Sequence, residues 1–212
     1  MPTILKIDPK TPDKSSIIAA VEILKKGGVV AFPTETFYGL GADAGNVEAV
    51  EKIYSIKGRD YENPIPIIIG NIRDMTGLVE EIPETGRRFM ERFWPGGLTI
   101  IFEASLNILH RLTGGTGKIG IRLSSNIIAS HLAKTLSKPI TATSANLSGA
   151  DECASADEVI DCLKDKIDMV IDGGRTPGGL GSTVVDVTTD PPTILREGII
   201  PSSLLIYTLQ KI

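Results

Sequence analysis

Residues 28–41 read GVVAFPTETFYGLG, and this stretch decides how the rest of the chain is interpreted. The run 28–32 is apolar and ends at a proline, which predicts a buried strand that Pro33 prevents from pairing further. Hydroxyls, a carboxylate, a phenol and two glycines follow at the strand end, a composition that suits a small polar ligand approached closely by the backbone. The same residues also fit a capped turn with Glu35 in solvent. Both interpretations stay open at this point.

Helical and strand patterns alternate outward from this stretch without a linker, repeat or low-complexity run. We therefore predict an α/β fold and one domain, residues 1–212. Short connections between the last strands favour a mixed sheet over a purely parallel one. The predicted strands are 28–32, 65–69, 98–102, 119–123, 140–143, 169–171, 183–187 and 193–196. One helix is predicted to begin after a cap at Asp13 or Ser15, and a second after a cap at Asn46. Four further helices are predicted over 72–80, 84–93, 127–136 and 156–166.

Composition excludes several classes of protein. Apolar residues make up 42% and charged residues 23% of the 212 residues, which is ordinary for a globular chain and excludes disorder. The longest uncharged stretches, 139–150 and 198–210, are 12 and 13 residues long, too short for a membrane span. Asp8 comes too early for a signal peptide, and Cys153 and Cys162 form no metal-binding spacing, so we expect a cytoplasmic protein without a metal site.

Common catalytic and nucleotide-binding motifs are missing or misplaced. Residues 115–120, GTGKIG, match G-x-G-x-x-G but lead into a β-type stretch, whereas a dinucleotide fingerprint opens a helix. The chain has no G-x-x-x-x-G-K-[ST], no G-x-S-x-G and no H-E-x-x-H. A hydrolase or metalloprotease therefore has no support in the sequence.

Four cations stand beside loops rich in Ser, Thr and Asn. They are Lys57 and Arg59 at the end of a predicted helix, Arg122 on an otherwise apolar strand, and Arg196. The helix dipole alone could explain the first two. Because the net charge of the chain is −4, their grouping favours a local cavity for phosphates and carboxylates over general binding of nucleic acid.

The order of these segments resembles the YrdC family, the threonylcarbamoyl-AMP synthases. The resemblance covers roughly residues 19–199 and rests on PTETFYGLG (33–41), KGR (57–59), NPIP (63–66), WPGGLTI (94–100), GKIGIRL (117–123), TSANLSG (143–149), STVVD (182–186) and ILREG (194–198). It implies a twisted mixed β-sheet flanked by helices around a deep, positively charged groove. It also implies the short form of the family, without a second domain.

The resemblance implies a nucleotidyltransferase that converts L-threonine, bicarbonate and ATP into threonylcarbamoyl-AMP and pyrophosphate. Mg²⁺ would arrive with ATP, because the sequence shows no carboxylate cluster to hold it. A downstream tRNA threonylcarbamoyltransferase complex would then modify adenosine 37 of tRNA, and the chain itself could contact tRNA. Two alternatives stay open: an RNA-binding module without catalysis, and a transferase that handles carbamoyl-adenylate, like the YrdC-like domain of hydrogenase-maturation proteins.

The resemblance also implies roles for individual residues. Lys57 and Arg59 would hold the ATP phosphates and carry catalysis. The threonine pocket would be formed by Thr34, Tyr38, Arg122 and Ser182. Further nucleotide contacts would come from Asn63, Ser144, Asn146 and Arg196. Three positions depart from the family pattern, namely Asp60, Lys118 and Thr143, and the first two leave nearby ATP contacts open.

Overall fold

Eleven strands and seven α-helices alternate along residues 1–210, the part of the chain described by the structure, a computed structural model. The strands are β1 (Thr3–Lys6), β2 (Val30–Pro33), β3 (Tyr38–Gly41), β4 (Ile67–Ile68), β5 (Leu98–Glu103), β6 (Lys118–Arg122), β7 (Ile140–Thr141), β8 (Thr143–Ser144), β9 (Met169–Asp172), β10 (Thr183–Asp186) and β11 (Thr193–Arg196). The helices are α1 (Lys14–Lys25), α2 (Val47–Lys57), α3 (Glu84–Phe93), α4 (His110–Thr113), α5 (Ile127–Leu136), α6 (Ala156–Leu163) and α7 (Ser202–Gln210).

The strands form two mixed sheets. The five-stranded sheet has the order β1-β9-β2-β3-β8, in which β9 is parallel to both of its neighbours and β2 and β3 form an antiparallel hairpin. The six-stranded sheet has the order β11-β10-β5-β6-β4-β7, with parallel pairs β10–β5 and β4–β6. The predicted mixed α/β fold is confirmed, and the sheet that we expected is divided into two.

The segment 140–144 connects these sheets. The sequence predicts one strand here, but β7 pairs with β4 in the six-stranded sheet while β8 pairs with β3 in the five-stranded sheet. Between them, the Ala142 amide donates to the carbonyl of Pro66 at 2.8 Å. The buried Thr141 hydroxyl accepts from the Ala42 amide at 2.9 Å and donates to the Leu40 carbonyl at 3.1 Å.

The β2–β3 hairpin explains the composition of the opening stretch. Pairing of Pro33 with Tyr38 closes the loop 34–37, and Thr34 donates to the Phe37 carbonyl from both its amide and its hydroxyl. The sequence did not predict β3, because glycines disfavour strands. Here a Cβ on Gly41 would lie 2.6 Å from the Phe32 ring, so glycine leaves room for the ring beside the neighbouring strand.

Most helices begin where the sequence predicts. Asp13 accepts from the Ser16 amide and Asn46 from the Ala49 amide, so both act as N-caps, as expected. The helix predicted over 72–80 is wrong: only a 3₁₀ turn forms at Ile72–Met75, followed by Gly77 with φ 88°. Strand β1 and helices α4 and α7 were not predicted.

Apolar packing surrounds β2 on both sides. Ala31 belongs to a core cluster that also contains α2 and the inner residues of β5 and β6, whereas Val30 and Phe32 pack with α1 and α5. This alternation follows from the two-residue period of a strand. In the described part of the chain, each helix is too short or too polar to cross a lipid bilayer.

Replacing Thr141 with Val tests the connection between the sheets. The substitution keeps the shape but leaves a buried amide without its acceptor, which we expect to lower the free energy of unfolding by about 1–3 kcal/mol. Urea unfolding of both proteins measures the difference. Thr11→Val is the matched control, because the Thr11 hydroxyl bonds only to Asp8 on the surface, and its effect should stay within about 0.5 kcal/mol. Equal effects of the two substitutions would show that the Thr141 hydroxyl does not stabilise the connection between the sheets.

Candidate functional site

A cavity of about 660 Å³ is lined by residues of both sheets. It takes side chains from β3 and β8 on one side and from β5, β6, β10 and β11 on the other. The structure brings together eight of the ten residues predicted to form the site: Thr34, Tyr38, Arg59, Asn63, Arg122, Ser144, Ser182 and Arg196.

The two-residue period of β6 places Arg122 at the cavity. Gly120 and Arg122 line it, whereas Ile119 and Ile121 are buried in the apolar core on the opposite face. A Cβ on Gly120 would lie 3.2 Å from a methyl group of Thr99, so glycine keeps this wall close to its neighbour. A cation on an otherwise apolar strand was therefore a correct signal of a cavity residue.

Arg122 is almost fully buried and only partly satisfied. The whole residue is 6% exposed. Its Nη1 lies 3.5 Å from Oε1 of Glu35, and its Nε has no hydrogen-bond partner among the described residues. The other oxygen of Glu35 accepts a hydrogen bond from Ser124. The interpretation that Glu35 lies in solvent is thus wrong, because its side chain is 11% exposed and paired with Arg122.

The other two arginines of the lining are fixed by neutral acceptors. Arg59 donates to the carbonyls of Asn63 and Pro64 at 3.2 and 3.0 Å, and burial lowers its pKa from the ordinary value. Arg196 donates from Nε to the Ser182 carbonyl and from Nη2 to the Ser182 hydroxyl, both at 3.0 Å. Neither guanidinium group pairs with a carboxylate within residues 1–210.

The lining is therefore electropositive although the chain as a whole is acidic. It contains three arginines and one carboxylate, Glu152. Guanidinium groups bind carboxylates and phosphates through paired N–H donors, so the lining fits anionic ligands. The glycines and short hydroxyl side chains around them leave room for such ligands.

Thr34 and Tyr38 shape the cavity wall. The Thr34 hydroxyl accepts from the Thr36 amide at 3.1 Å while it donates to Phe37, so its hydrogen bonds stay within the hairpin loop. The Tyr38 hydroxyl donates to the Gly174 carbonyl at 2.7 Å, and burial together with the charge of Asp172 raises its pKa. Tyr38 thus remains a neutral phenol that holds the wall to the loop after β9.

Lys57 and Asn146 are the two predicted site residues that do not line the cavity. The Lys57 ammonium donates to the carbonyls of Ser144 and Asn146 at 2.5 and 2.7 Å, and to Oδ1 of Asn146 at 3.1 Å. Nδ2 of Asn146 donates to the Ala150 carbonyl at 2.5 Å. Burial, with a further contribution from the charge of Arg59, lowers the pKa of Lys57 to about 8. Lys57 therefore holds the segment 144–146 against the end of α2.

The positions that depart from the family pattern have local roles. The Lys118 ammonium pairs with Oδ2 of Asp186 at 2.9 Å, and Asp60 accepts from the Glu62 amide at 2.9 Å. Neither residue lines the cavity, whereas Thr143 does. The predicted set of site residues omitted three further residues in or beside the electropositive cavity: Glu35, Thr99 and Glu152. For Thr99, the available signal was a polar residue on the cavity face of an apolar strand.

Comparison with known proteins decides the family. A family model for Sua5, YciO and YrdC proteins, described as "Telomere recombination", matches residues 22–198. The chain belongs to the Sua5/YciO/YrdC family. The resemblance inferred from the sequence is thus confirmed. This family member is 41% identical over 182 residues to a threonylcarbamoyl-AMP synthase of Pyrococcus abyssi, a match that covers 86% of the chain. The chain spans about half the length of that relative, 54%.

Two solved structures of the Sua5/YciO/YrdC family share the fold. Pyrococcus abyssi Sua5 in complex with L-threonine is 37% identical with a TM-score of 0.95, covering 99% of this chain and 61% of that one. Escherichia coli YciO is 31% identical with a TM-score of 0.86, covering 94% of this chain and 97% of that one.

The buried Lys57 gives the free energy of unfolding a pH dependence. Its pKa is about 8 in the folded chain against an ordinary 10.5, so between these values the unfolded chain binds more protons at this residue. Its contribution to the free energy of unfolding therefore rises as the pH increases from about 8 to 10.5, by up to roughly 3 kcal/mol.

Comparing wild type with Lys57→Met by urea unfolding at several pH values isolates this contribution. We expect the free energy of unfolding of the wild type to increase relative to that of Lys57→Met as the pH rises. Lys25→Met measures the background, because Lys25 lies on the surface of α1 in an exposed pair with Glu22. A difference between wild type and Lys57→Met that stays constant from pH 7.5 to 10.5 would contradict the burial of a charged ammonium.

Proposed function

We propose that the chain catalyses the synthesis of threonylcarbamoyl-AMP from L-threonine, bicarbonate and ATP. The observation that carries the proposal is the Arg122 guanidinium, which belongs to the cavity lining although the residue is almost fully buried, and whose Nε has no hydrogen-bond partner among the described residues. A buried cation with an incomplete set of acceptors is costly unless an anionic ligand completes it. Family membership and the name of the Pyrococcus abyssi relative support the same reaction.

L-Threonine would bind through its carboxylate at Arg122. Thr34, Tyr38 and Ser182 lie around the same cavity and would enclose the amino acid. Selection of threonine over serine would depend on one methyl group, which is worth only about 1–3 kcal/mol in a hydrophobic niche, so we expect modest discrimination.

ATP would bind through its phosphates at Arg59 and Arg196, the guanidinium groups that have no carboxylate partner. Asn63 and Ser144 lie in the same lining and would contact the nucleotide. Lys57 and Asn146 would act by fixing the segment 144–146, and a direct contact of Lys57 with phosphate stays a prediction. The described residues contain no cluster of acidic, His or Cys side chains that could hold a metal, so Mg²⁺ would be carried by the triphosphate, where it neutralises charge.

The reaction needs no protein nucleophile. The threonine amine attacks bicarbonate to form a carbamate, and one water molecule is released. A carbamate oxygen then forms a bond to the α-phosphorus of ATP, and the bond to pyrophosphate breaks. The chain would accelerate this step by holding the reactants in line and by placing Arg59 and Arg196 beside the developing negative charge.

We also propose that the product serves tRNA modification in the cytoplasm, through a separate transferase complex that moves the threonylcarbamoyl group to adenosine 37. The electropositive cavity suits small anions better than a nucleic-acid duplex, since a duplex needs a basic surface stripe. A binding module for tRNA or double-stranded RNA, or a transferase for carbamoyl-adenylate, would give different outcomes in the following experiment.

Release of pyrophosphate from ATP tests the reaction directly. We expect release only when L-threonine and bicarbonate are both present. Release without threonine but with carbamoyl phosphate would indicate the carbamoyl-adenylate reaction. No release combined with salt-sensitive RNA binding would indicate the binding module, since phosphate contacts weaken steeply with salt. Either of these results would contradict the proposed synthesis.

Substitution of two cavity arginines should separate the two substrates. Arg122→Ala removes the charged donors for the carboxylate and should raise the KM for L-threonine about 10- to 100-fold, with a smaller effect on the KM for ATP. Arg59→Ala should show the opposite pattern. Steady-state kinetics measure both, with Arg88→Ala as the control, because Arg88 pairs with Glu84 at the surface of α3. Equal effects of both cavity variants on both substrates would show that the subsites are assigned wrongly.

A further inference from the structure

Arg122 differs from the other two arginines of the cavity lining in its electrostatic partner. Its Nη1 lies 3.5 Å from a carboxylate oxygen of Glu35, whereas Arg59 and Arg196 donate to carbonyl and hydroxyl oxygens. The cavity thus has one guanidinium whose charge is offset and two whose charge is not. No step of the proposed reaction accounts for this difference.

Ser124 holds the carboxylate oxygen of Glu35 that does not pair with Arg122. The Ser124 hydroxyl donates to Oε2 of Glu35 and itself accepts from the Asn126 amide at 3.1 Å. Asn126 caps α5, so the carboxylate is tied to the start of a helix. Glu35 does not line the cavity, and its Oε1 has no hydrogen-bond partner among the described residues. Its negative charge is therefore fixed next to Arg122 and outside the ligand space.

A carboxylate at this position changes which anion Arg122 binds best. A lone buried guanidinium attracts a phosphate dianion more strongly than a carboxylate monoanion. With Glu35 at 3.5 Å, each added negative charge on a ligand is also repelled, while the guanidinium keeps its N–H donors. The pair therefore accepts the carboxylate of a zwitterion and penalises a dianion, which is discrimination by repulsion.

We propose that Glu35 is a specificity-determining residue that keeps phosphate groups off Arg122 and reserves this guanidinium for the carboxylate of an amino acid. The inference rests on the proposed function, because it assigns Arg122 to the amino acid and Arg59 and Arg196 to phosphates. In a single cavity with three arginines, the triphosphate of ATP would otherwise compete for the amino-acid subsite.

Competition between sulfate and L-threonine tests this role. Isothermal titration calorimetry without nucleotide gives the apparent Kd for L-threonine with and without sodium sulfate, at constant ionic strength set with chloride. Sulfate at Arg59 or Arg196 leaves the amino-acid subsite free, so competition reports on sulfate at Arg122. We expect sulfate to raise the apparent Kd less than about twofold for the wild type and roughly tenfold for Glu35→Gln.

Two further variants separate charge from structure. Glu22→Gln removes the same charge from an exposed pair on α1 and should respond to sulfate as the wild type does. Ser124→Ala removes the hydrogen bond to Glu35 but keeps the carboxylate charge. It should therefore resist sulfate even if its affinity for L-threonine falls, and this prediction stands if Glu35→Gln does not fold.

A Glu35→Gln protein with the sulfate response of the wild type would overturn the inference, as would a Ser124→Ala protein that sulfate inhibits tenfold or so. Absence of L-threonine binding to the wild type would instead contradict the proposed function, and the inference would fall with it. The two failures are distinguishable because only the first occurs in a chain that binds L-threonine.

Discussion

The Lys57 ammonium holds the point where the two sheets meet. It donates to the carbonyls of Ser144 and Asn146, and Ser144 belongs to the segment that leaves one sheet at Thr141 and enters the other at Thr143. Burial of this charge is unfavourable and lowers its pKa, and three oxygen acceptors offset part of that cost. The cavity exists because this connection keeps both sheets around it.

The cavity lining is positively charged although the whole chain is negatively charged. The chain has a net charge of −4, yet three arginines line the cavity, and within residues 1–210 only Arg122 of the three has an acidic partner. Neutral oxygens hold Arg59 and Arg196 in place without offsetting their charge. Under the proposed function, a zwitterion at Arg122 and a triphosphate at Arg59 and Arg196 would lie side by side without blocking each other.

The sequence predicts features that depend on neighbouring residues and misses those that depend on distant ones. The caps at Asp13 and Asn46 and the helix α5 follow from local spacing, and the structure has them. The division of 140–144 between two sheets depends on partners far along the chain. Likewise, Glu35 is buried only because Ser124, 89 residues away, and Arg122 fold against it. The place of Arg122 at a cavity could be predicted, because a cation on an otherwise apolar strand is unfavourable unless it faces polar surroundings.

A crystal structure of the chain with L-threonine and a non-hydrolysable ATP analogue would show which guanidinium of the cavity each ligand contacts. We expect the threonine carboxylate within hydrogen-bond distance of Arg122 and the triphosphate beside Arg59 and Arg196. A phosphate group bound to Arg122, or an amino acid bound outside the cavity, would contradict this expectation.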